Sequence, residues 1–349
     1  MLFSKEYLNE ILVSLDVVGK DTTEIMPATA ALNDADFAER IREHYQDKGG
    51  LTGVFAIGGT RTTYILEKQR HLADPGHLND MNDQIDYIQS RYHDFISMFQ
   101  NLGGQNMVIA ASSFRAFAGQ RGPDYIRWIA EAVSNLHNES FQRFYRQNGI
   151  DPYFIGIDVF LAQKEDSPAR KTAEGMQEFQ KSWPYAPGRF KLVWEIAPVC
   201  LYSLINAIRA DDQAELDSVV AETGDLEKLF HQIYERYAPT IYGTEMPLPD
   251  FYLGTNKSGD IKIRSPMPFT LTGGEYMRSY YTPYPTLFMR QETLRYILND
   301  LAFGERFQSL KADYSGRYTS ELAQAEYARV IELSSHAENT VGLSRRLQG

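Results

Sequence analysis

The 349-residue sequence contains one cysteine and lacks the run of about 18 apolar residues that a membrane-spanning helix needs. The single thiol, Cys200, excludes a disulfide framework and a cysteine-based zinc site. Because Cys200 lies in the apolar stretch 197–201, we expect it to be buried and unreactive. The first residues after Met1 also lack the apolar region of a signal peptide, so the sequence predicts a cytoplasmic protein with no transmembrane segment.

Positively charged residues are outnumbered, since 35 Lys and Arg stand against 46 Asp and Glu and give a net charge of −11. This balance argues against a nucleic-acid partner and against a basic membrane-binding face. It does not exclude an anionic small molecule, which needs only a few local cations. Aromatic residues make up 13% of the chain, and the surplus of tyrosine suits an amphipathic pocket or interface. Ordinary core and surface tyrosines explain most of them.

Short β-type runs alternate with helical patterns along the chain. We predict strands at residues 53–57, 107–111, 153–159, 190–196, 251–254 and 278–282. Between the first two strands, apolar residues recur at steps of three and four from Leu78 to Phe99, which predicts one amphipathic helix. Asp74 suits its N-cap, Pro75 its first position and Gly103 its C-terminal glycine. This order predicts an α/β fold with a mostly parallel central sheet flanked by helices.

We interpret the chain, 1–349, as a single α/β domain with two additions. Residues 160–240 contain a polar surface excursion at 163–183 and an inserted helical pair at 204–238. Residues 317–349 form a C-terminal dimerisation segment in which 320–343 is predicted to be an amphipathic helix, docked on the domain or on a second subunit. Together with the tyrosine-rich stretch 278–286, this helix predicts a homodimer.

The stretch 55–64 carries the clearest signal for a binding site. An apolar run ends in Gly58 and Gly59, and Thr60 and Arg61 follow. The pattern is typical of a strand that ends in a turn with uncovered backbone N–H groups and a guanidinium beside them. Such a turn suits an anionic group such as a phosphate. The alternative is a plain tight turn, which Gly-Gly after a strand also forms.

Loops at the carboxyl ends of parallel strands meet in one crevice, so we expect the loops at Gly58, Ser112 and Gly254 to converge. The predicted substrate-binding residues are Gly58, Gly59, Thr60, Arg61, Thr62, Tyr64, Ser112, Ser113, Arg264, Ser265 and Tyr280. The predicted catalytic residues are Arg61, Arg278 and Asp250. The structural alternatives are a solvated surface position for Arg61, surface ion pairing for Arg264 and Arg278, and a supporting contact to an arginine for Asp250. For the serines the alternative is helix capping, and for Tyr280 it is core packing.

The order of these motifs resembles the cis-prenyltransferase (undecaprenyl diphosphate synthase-like) family. That family has an Asp-Gly-Asn-Arg-Arg-Trp turn, then Gly-His, a long helix, Leu-Gly and a strand ending in Phe-Ser-Ser-Glu-Asn. The matching places here hold Gly59-Thr60-Arg61, Gly76-His77, Leu102-Gly103, Ser112-Ser113, Asp250 with Thr255, and Tyr280-Tyr281-Thr282. The likeness is closer to the tuberculosinol synthase/tuberculosinyl adenosine transferase-like branch, with its Gly-Thr-Arg-Arg turn and late segments similar to 279–282, 293–298 and 313–315. It covers residues 50–160 and 245–316.

The resemblance implies an enzyme whose substrate is a prenyl or terpenyl diphosphate. The headgroup would rest on backbone N–H groups and Arg61, and the hydrocarbon would lie in an apolar tunnel. Cleavage of the C1–O bond then needs cations and hydrogen bonds that stabilise the departing diphosphate. Cyclisation, hydrolysis or transfer to an acceptor is the expected outcome.

Departures from the family pattern argue against chain elongation with isopentenyl diphosphate. The position of the family's metal-binding Asp is Gly58 here. The Glu that precedes Leu-Tyr-Phe-Thr in the family falls on Arg278, and the arginine of its Ile-Arg-Thr-Gly-Gly motif falls on Gly254. The Tyr-Gly-Gly-Arg block is also absent. The family pattern implies Mg²⁺, but the carboxylates that would hold it are missing, so we assign no metal ligand and leave the cofactor undetermined. Arg61 and Arg278 are expected to face the headgroup in its place.

Two alternatives stay open at this point. A non-catalytic partner or scaffold protein of the same fold would explain the missing carboxylate at Gly58. An enzyme acting on another phosphorylated small molecule would use the same glycine turn. His77, next to Pro75 and Gly76 at a predicted helix start, is interpreted as structural.

Overall fold

The computed structural model describes residues 32–71, 81–117, 122–208, 226–255, 261–274 and 276–304, with residues 217, 218, 220 and 221 and seven positions between 324 and 335. The strands are β1 (Thr52–Ala56), β2 (Asn106–Ser112), β3 (Ile150–Ile155), β4 (Phe190–Ile196), β5 (Phe251–Thr255) and β6 (Arg278–Thr282). The helices are α1 (Asp34–Tyr45), α2 (Thr60–Tyr64), α3 (Met81–Asn101), α4 (Pro123–Ser134), α5 (Glu139–Gln147), α6 (Asp158–Leu161), α7 (Pro168–Ser182), α8 (Cys200–Ala207), α9 (Leu226–Tyr242), α10 (Pro266–Thr272) and α11 (Gln291–Phe303).

The six strands form one parallel sheet in the order β3-β4-β2-β1-β5-β6. The predicted α/β fold class is therefore confirmed. All six predicted strands are present, and β4 and β6 have the predicted bounds. The third strand was placed too late, because Gly156 ends it with a positive φ of 74° and a short helix, α6, follows.

Helices cover both faces of the sheet, and side chains alternate between two cores. Phe55 of β1 and Ile57, directly after it, enter the larger core, which α1, α3, α7 and α11 also line. Val54 and Ala56 of β1 face α9 and α10. This alternation follows from the two-residue period of a strand. The buried strands have few polar residues because both of their faces are covered.

The long amphipathic helix is α3, and its apolar face packs on the larger core as predicted. The ring of Phe55 on β1 lies 5.4 Å from that of Phe95 and 4.9 Å from that of Phe99, both in edge-to-face contact. Aromatic pairs in this geometry contribute about 0.5–1.5 kcal/mol each beyond burial. The predicted cap residues Asp74 and Pro75, together with His77, lie outside the described residues.

The segment 163–183 is not the surface excursion that we expected. Most of it forms α7, which buries Ala173, Met176 and Phe179 in the larger core. Its polar residues lie on the outer face, so the charged composition concealed an amphipathic helix. The side chain of Trp183, directly after the helix, is also buried and donates to Asp151.

The predicted helical pair at 204–238 is present but displaced, as α8 and α9. None of the residues of α8 is buried, and Leu201 and Ile205 are 70% and 63% exposed. Cys200 is half-buried, not fully buried as predicted, and burial raises the pKa of its thiol. None of the described helices is long and apolar enough to cross a bilayer. Most of the predicted helix 320–343 lies outside the described residues.

Candidate active site at the carboxyl edge of the sheet

The carboxyl ends of β1, β5 and β6 lie side by side and form the centre of the candidate site. Ala56 pairs with Gly254, and Thr255 pairs with Thr282, so the loops after these strands leave the sheet at the same level. Gly58 follows β1 directly. Its predicted convergence with the loop after Gly254 is therefore present in the structure.

A hydrogen-bonded cluster joins these loops. The backbone N–H of Gly58 points at Oγ1 of Thr286 at 3.5 Å, and the N–H of Thr286 donates to the carbonyl of Gly58 at 3.3 Å. The hydroxyls of Thr255 and Thr286 bond to each other, and both side chains are buried. The cluster fixes Gly58 relative to β5 and to the loop after β6.

Arg264 reaches this cluster from the segment before α10. A Cβ atom on Gly58 would lie 2.6 Å from Nη1 of Arg264 and 3.1 Å from Cβ of Thr255. Both distances are too short for a side chain to fit without displacement, so glycine lets the guanidinium lie against the backbone. Arg264 itself is exposed. The loop therefore presents an accessible positive charge.

The chain turns at Gly59, whose φ of 77° is in the left-handed region that favours glycine. Pro285 packs against it, since a Cβ there would lie 2.9 Å from Cβ of Pro285. Thr60 begins α2, and the N–H of Thr63 donates to the carbonyl of Gly59 at 2.8 Å. Residues 60–62 are in the first turn, where backbone N–H groups have no partner within the helix. Arg61 is exposed and Thr62 half-buried in this turn.

Ser112 lies at the carboxyl end of β2, on the other side of β1. Its hydroxyl is buried and bonds to none of the described residues. Its carbonyl accepts from the N–H of Ala197, a non-glycine residue with a φ of 43°. Strained backbone of this kind often marks functional sites. Ser113 is exposed, and its carbonyl accepts from the N–H of Ala116 in the turn that follows.

Two predicted site tyrosines are engaged elsewhere. Tyr64 is 2% exposed, and its hydroxyl donates to Asp83 of α3 at 2.5 Å. Tyr280 lies in the middle of β6 and donates to Asp300 of α11 at 2.7 Å. Tyr64 thus fixes α2 to α3, and the core packing considered for Tyr280 is the arrangement observed.

Arg278 and Asp250 lie at the opposite edge of the sheet, which corrects two of the predicted catalytic positions. Arg278 is the first residue of β6, and its N–H donates to the carbonyl of Asp250, just before β5. The guanidinium pairs with Asp300 at 2.9 Å. The carboxylate of Asp250 accepts from the N–H of Thr52, and burial raises its pKa to about 6. Because the strands are parallel, neither residue joins Gly58 at the carboxyl edge.

The sequence interpretation missed Glu195. This residue lies near the carboxyl end of β4, is fully buried, and accepts from the hydroxyl of Ser265 and, at 2.8 Å, from the N–H of Met267. Burial raises the pKa of its carboxyl to about 7. A carboxylate among the apolar residues of 192–196 was the available signal. Ser265, predicted to bind substrate, is buried and serves as the donor to Glu195.

The sequence matches no protein-family model and no protein of curated function. The fold is similar to solved structures, among them a probable undecaprenyl diphosphate synthase from Campylobacter jejuni, with 15% identity, a TM-score of 0.46, and coverage of 74% of this chain and 97% of that one. Another is lavandulyl diphosphate synthase from Lavandula x intermedia in complex with dimethylallyl diphosphate, with 16% identity, a TM-score of 0.48, and coverage of 75% and 98%.

Both proteins are named as diphosphate synthases, and neither is named as a member of the tuberculosinol synthase branch, so that finer assignment stays a prediction. With TM-scores below 0.5, these similarities say nothing by themselves about the reaction of this chain.

The donors around Gly58 do not fit a magnesium ion. Mg²⁺ prefers carboxylate oxygens and phosphate oxygens, together with water. The described residues at Gly58 offer threonine hydroxyls, backbone groups and the Arg264 guanidinium instead. Across the described part of the chain, no three His, Cys, Asp or Glu side chains lie close enough together to hold a metal ion.

Proposed function

We propose that this chain is an enzyme that binds a prenyl or terpenyl diphosphate at the carboxyl edge around Gly58 and cleaves its C1–O bond without elongating the chain. The observation that carries the proposal is the guanidinium of Arg264 lying against the side-chain-free backbone of Gly58. In a protein of net charge −11, an exposed cation beside the loops at the carboxyl edge favours an anionic ligand at that place.

A diphosphate suits this geometry because its two phosphoryl groups can contact two neighbouring loops at once. Its terminal oxygens can contact Arg264. The N–H groups of the turn at 59–62 and the Arg61 side chain lie on the loop that contains Gly58. Hydrogen bonds from charged donors to such oxygens are about twice as strong as neutral ones. The motif order 58–61, 112–113 and 280–282 supplies the further support that the anion carries a prenyl chain.

The reaction follows from what a cationic site stabilises. Heterolysis of the C1–O bond leaves the electron pair on the diphosphate, and fixed positive charge there lowers the barrier. The allylic cation then loses a proton, often after cyclisation, or it is captured by water or an acceptor that gives up a proton. Elongation would need a second diphosphate site, and the residues that hold it in the family are replaced here.

The test is incubation of the purified protein with geranyl, farnesyl and geranylgeranyl diphosphates, with and without isopentenyl diphosphate, followed by mass spectrometry and diphosphate release. We expect a terpenoid product from at least one substrate and no lengthened chain. Release of phosphate from a different phosphorylated compound only, or no turnover with any prenyl diphosphate, would contradict the proposal and favour one of the two alternatives.

Variants identify the residues that bind the headgroup. Arg264→Gln and Arg61→Ala should each weaken inorganic diphosphate binding roughly ten- to a hundredfold, the loss of a charge-assisted bond worth about 1.5–3 kcal/mol. Arg42→Gln makes the same charge change on α1, beside Gly49 and Gln105 at the amino edge, and serves as the control. Equal affinity of Arg264→Gln and the control in calorimetry would remove Arg264 from the site.

A further inference from the structure

Glu195 is a buried acid with no established role in the chemistry around Gly58. Its neighbours Trp194 and Ile196 face the larger core, so Glu195 points with Val193 to the opposite face of the sheet. There it is fully buried. A buried carboxylate costs several kcal/mol unless hydrogen bonds satisfy it. The hydrogen-bond donors to Glu195 therefore indicate which part of the chain it holds.

Both hydrogen-bond donors to Glu195 come from one short turn. Oε2 accepts from the hydroxyl of Ser265, and Oε1 accepts from the N–H of Met267 at 2.8 Å. Ser265 and Met267 are themselves fully buried. The carboxylate thus holds the chain at the beginning of α10 against the end of β4.

Tyr252 holds the same chain on its other side. Its hydroxyl accepts from the N–H of Arg264 at 3.2 Å and donates to the carbonyl of Lys262, also at 3.2 Å. The backbone of Arg264 is therefore held by Tyr252 at its own N–H, and by Glu195 from the next residue, Ser265, onward. Its side chain projects from this fixed point to Gly58, where Nη1 occupies the space that a Cβ would need.

We infer that Glu195 is a positioning residue that holds the turn 264–267 so that the Arg264 guanidinium lies against Gly58 and meets the diphosphate there. The inference rests on the proposed function. Glu195 is buried beneath the turn and acts through Arg264, so it is not a catalytic residue. Without the carboxylate, Arg264 keeps its charge but loses its fixed position.

The groups around Glu195 are uncharged near neutral pH. Cys200 of α8, Tyr242 of α9 and Tyr252 of β5 interact electrostatically with it, and burial raises the pKa of each. Glu195 is then the group of this cluster that changes charge near pH 7. Protonation weakens its hold on the Met267 N–H, so diphosphate affinity should fall as the pH drops from 8 to 6.

A double-mutant cycle tests this with inorganic diphosphate in calorimetry. Glu195→Gln should lower affinity about fivefold, the worth of one hydrogen bond of about 1 kcal/mol, in the wild-type background. In the Arg264→Gln background it should change affinity less than about twofold, because the residue it acts through is gone. The dependence of affinity on pH between 6 and 8 should also flatten in Glu195→Gln.

Asp151→Asn is the control, since Asp151 is a buried acid that accepts from Trp183 and Ala186 at the amino end of β3. It should leave diphosphate affinity unchanged. Ser265→Ala removes one hydrogen-bond donor to Glu195 and keeps the carboxylate. If Glu195→Gln folds poorly, this variant tests the same contact between Glu195 and the turn 264–267. An equal loss of diphosphate affinity on Glu195→Gln in both Arg264 backgrounds would overturn the inference. Unchanged affinity in both Glu195→Gln and Ser265→Ala would overturn it as well.

Hydrogen exchange separates this inference from the proposed function. If wild-type protein does not bind diphosphate, or Arg264→Gln binds it equally well, the proposed function is wrong. In the absence of ligand, the amides of Arg264, Ser265 and Met267 should exchange faster in Glu195→Gln than in wild type or Asp151→Asn. Unchanged exchange of these amides would show that Glu195 does not hold the turn, whether or not the protein binds diphosphate.

Discussion

At the scale of single residues, Gly58 matters through the side chain it lacks. Its φ is outside the positive region, so glycine is not needed for backbone strain there. The need arises from Arg264 and Thr255, which lie against the position of a Cβ. A missing side chain is therefore the condition for the Arg264 contact.

Gly58→Ala should weaken diphosphate binding without unfolding the protein. The guanidinium is the far end of a flexible side chain and can move aside, whereas Thr255 has to give by only a few tenths of an ångström. We expect a loss of affinity close to that of Arg264→Gln, measured by calorimetry. In the Arg264→Gln background, Gly58→Ala should add little. A full additional loss there would show that Gly58 acts through its own backbone.

Glu195 should also leave a signature in the stability of the free protein. Its pKa is about 7 in the folded chain against 4.5 for an ordinary glutamate. The native state therefore binds the proton more tightly than the unfolded chain. The stability that Glu195 contributes is fully present below pH 4.5 and is lost as the pH rises to about 7.

Urea unfolding of wild type and Glu195→Gln between pH 4 and 8 measures this. The free energy of unfolding of wild type should fall relative to the variant by at most about 3 kcal/mol over that range, since one pKa unit corresponds to about 1.4 kcal/mol. Glu178→Gln, an exposed glutamate on α7, is the matched control. A constant difference between wild type and Glu195→Gln across the range would mean that Glu195 does not titrate there.

At the scale of elements, strand direction decides which residues share an edge. Arg278 and Thr282 begin and end the same strand, β6, and only Thr282 lies near the Gly58 loop. In five residues a strand advances about 13 Å from first to last, which separates the two ends by more than a side-chain contact. Arg278 was predicted to lie with Arg61 because the order of motifs along a sequence contains no information about this separation.

Arg278→Glu is therefore expected to affect stability and not diphosphate binding. It replaces an ion pair with Asp300 by a like-charge contact. Because both side chains are partly exposed, the loss of unfolding free energy should be about 1 kcal/mol or less. Arg264→Glu should show the reverse pattern, with a large loss of affinity and a small change in stability. Impaired diphosphate binding in Arg278→Glu would contradict the position given to it here.

The secondary structure was largely predictable because buried parallel strands are short apolar runs. The buried run at 190–196 was predicted at its observed bounds, and so was 278–282, an edge strand whose first two residues are exposed. The error at 163–183 came from judging α7 by its charged residues, although the spacing of Ala169, Ala173 and Met176 gives it a buried face. The loops at 58 and 255 could be predicted to meet, since strand ends converge. The contact of the Arg264 side chain with Gly58 could not be predicted, because it depends on how the loops are placed in space.

At the scale of the whole molecule, we expect activity on a prenyl diphosphate to persist in EDTA. The described donors at Gly58 do not suit Mg²⁺, and Arg264 supplies positive charge directly beside Gly58. Turnover and inorganic diphosphate binding should both be measured with EDTA and then with added magnesium. Complete loss of both, restored by magnesium, would mean that a carboxylate outside the described site holds the metal.

We also expect the protein to be a homodimer. The segment 320–343 was predicted to have an apolar face, and α8 exposes Leu201 and Ile205. Apolar surface of this kind is often covered in an oligomer. Sedimentation velocity at micromolar concentration should show a species of twice the chain mass. A monomer under those conditions, unchanged as concentration rises, would contradict the prediction.

The sequence by itself determined the strands, the long helix α3 and the glycine turn, because each depends on the spacing of residues that are close along the chain. Only the tertiary structure decided the rest. Glu195 bonds to Ser265, 70 positions away, and Gly58 meets Thr286, 228 positions away. Sheet order and strand direction create these contacts, and they also send Arg278 and Asp250 to the opposite edge. Local patterns do not encode which strand ends are neighbours, so the composition of the site emerged only on folding.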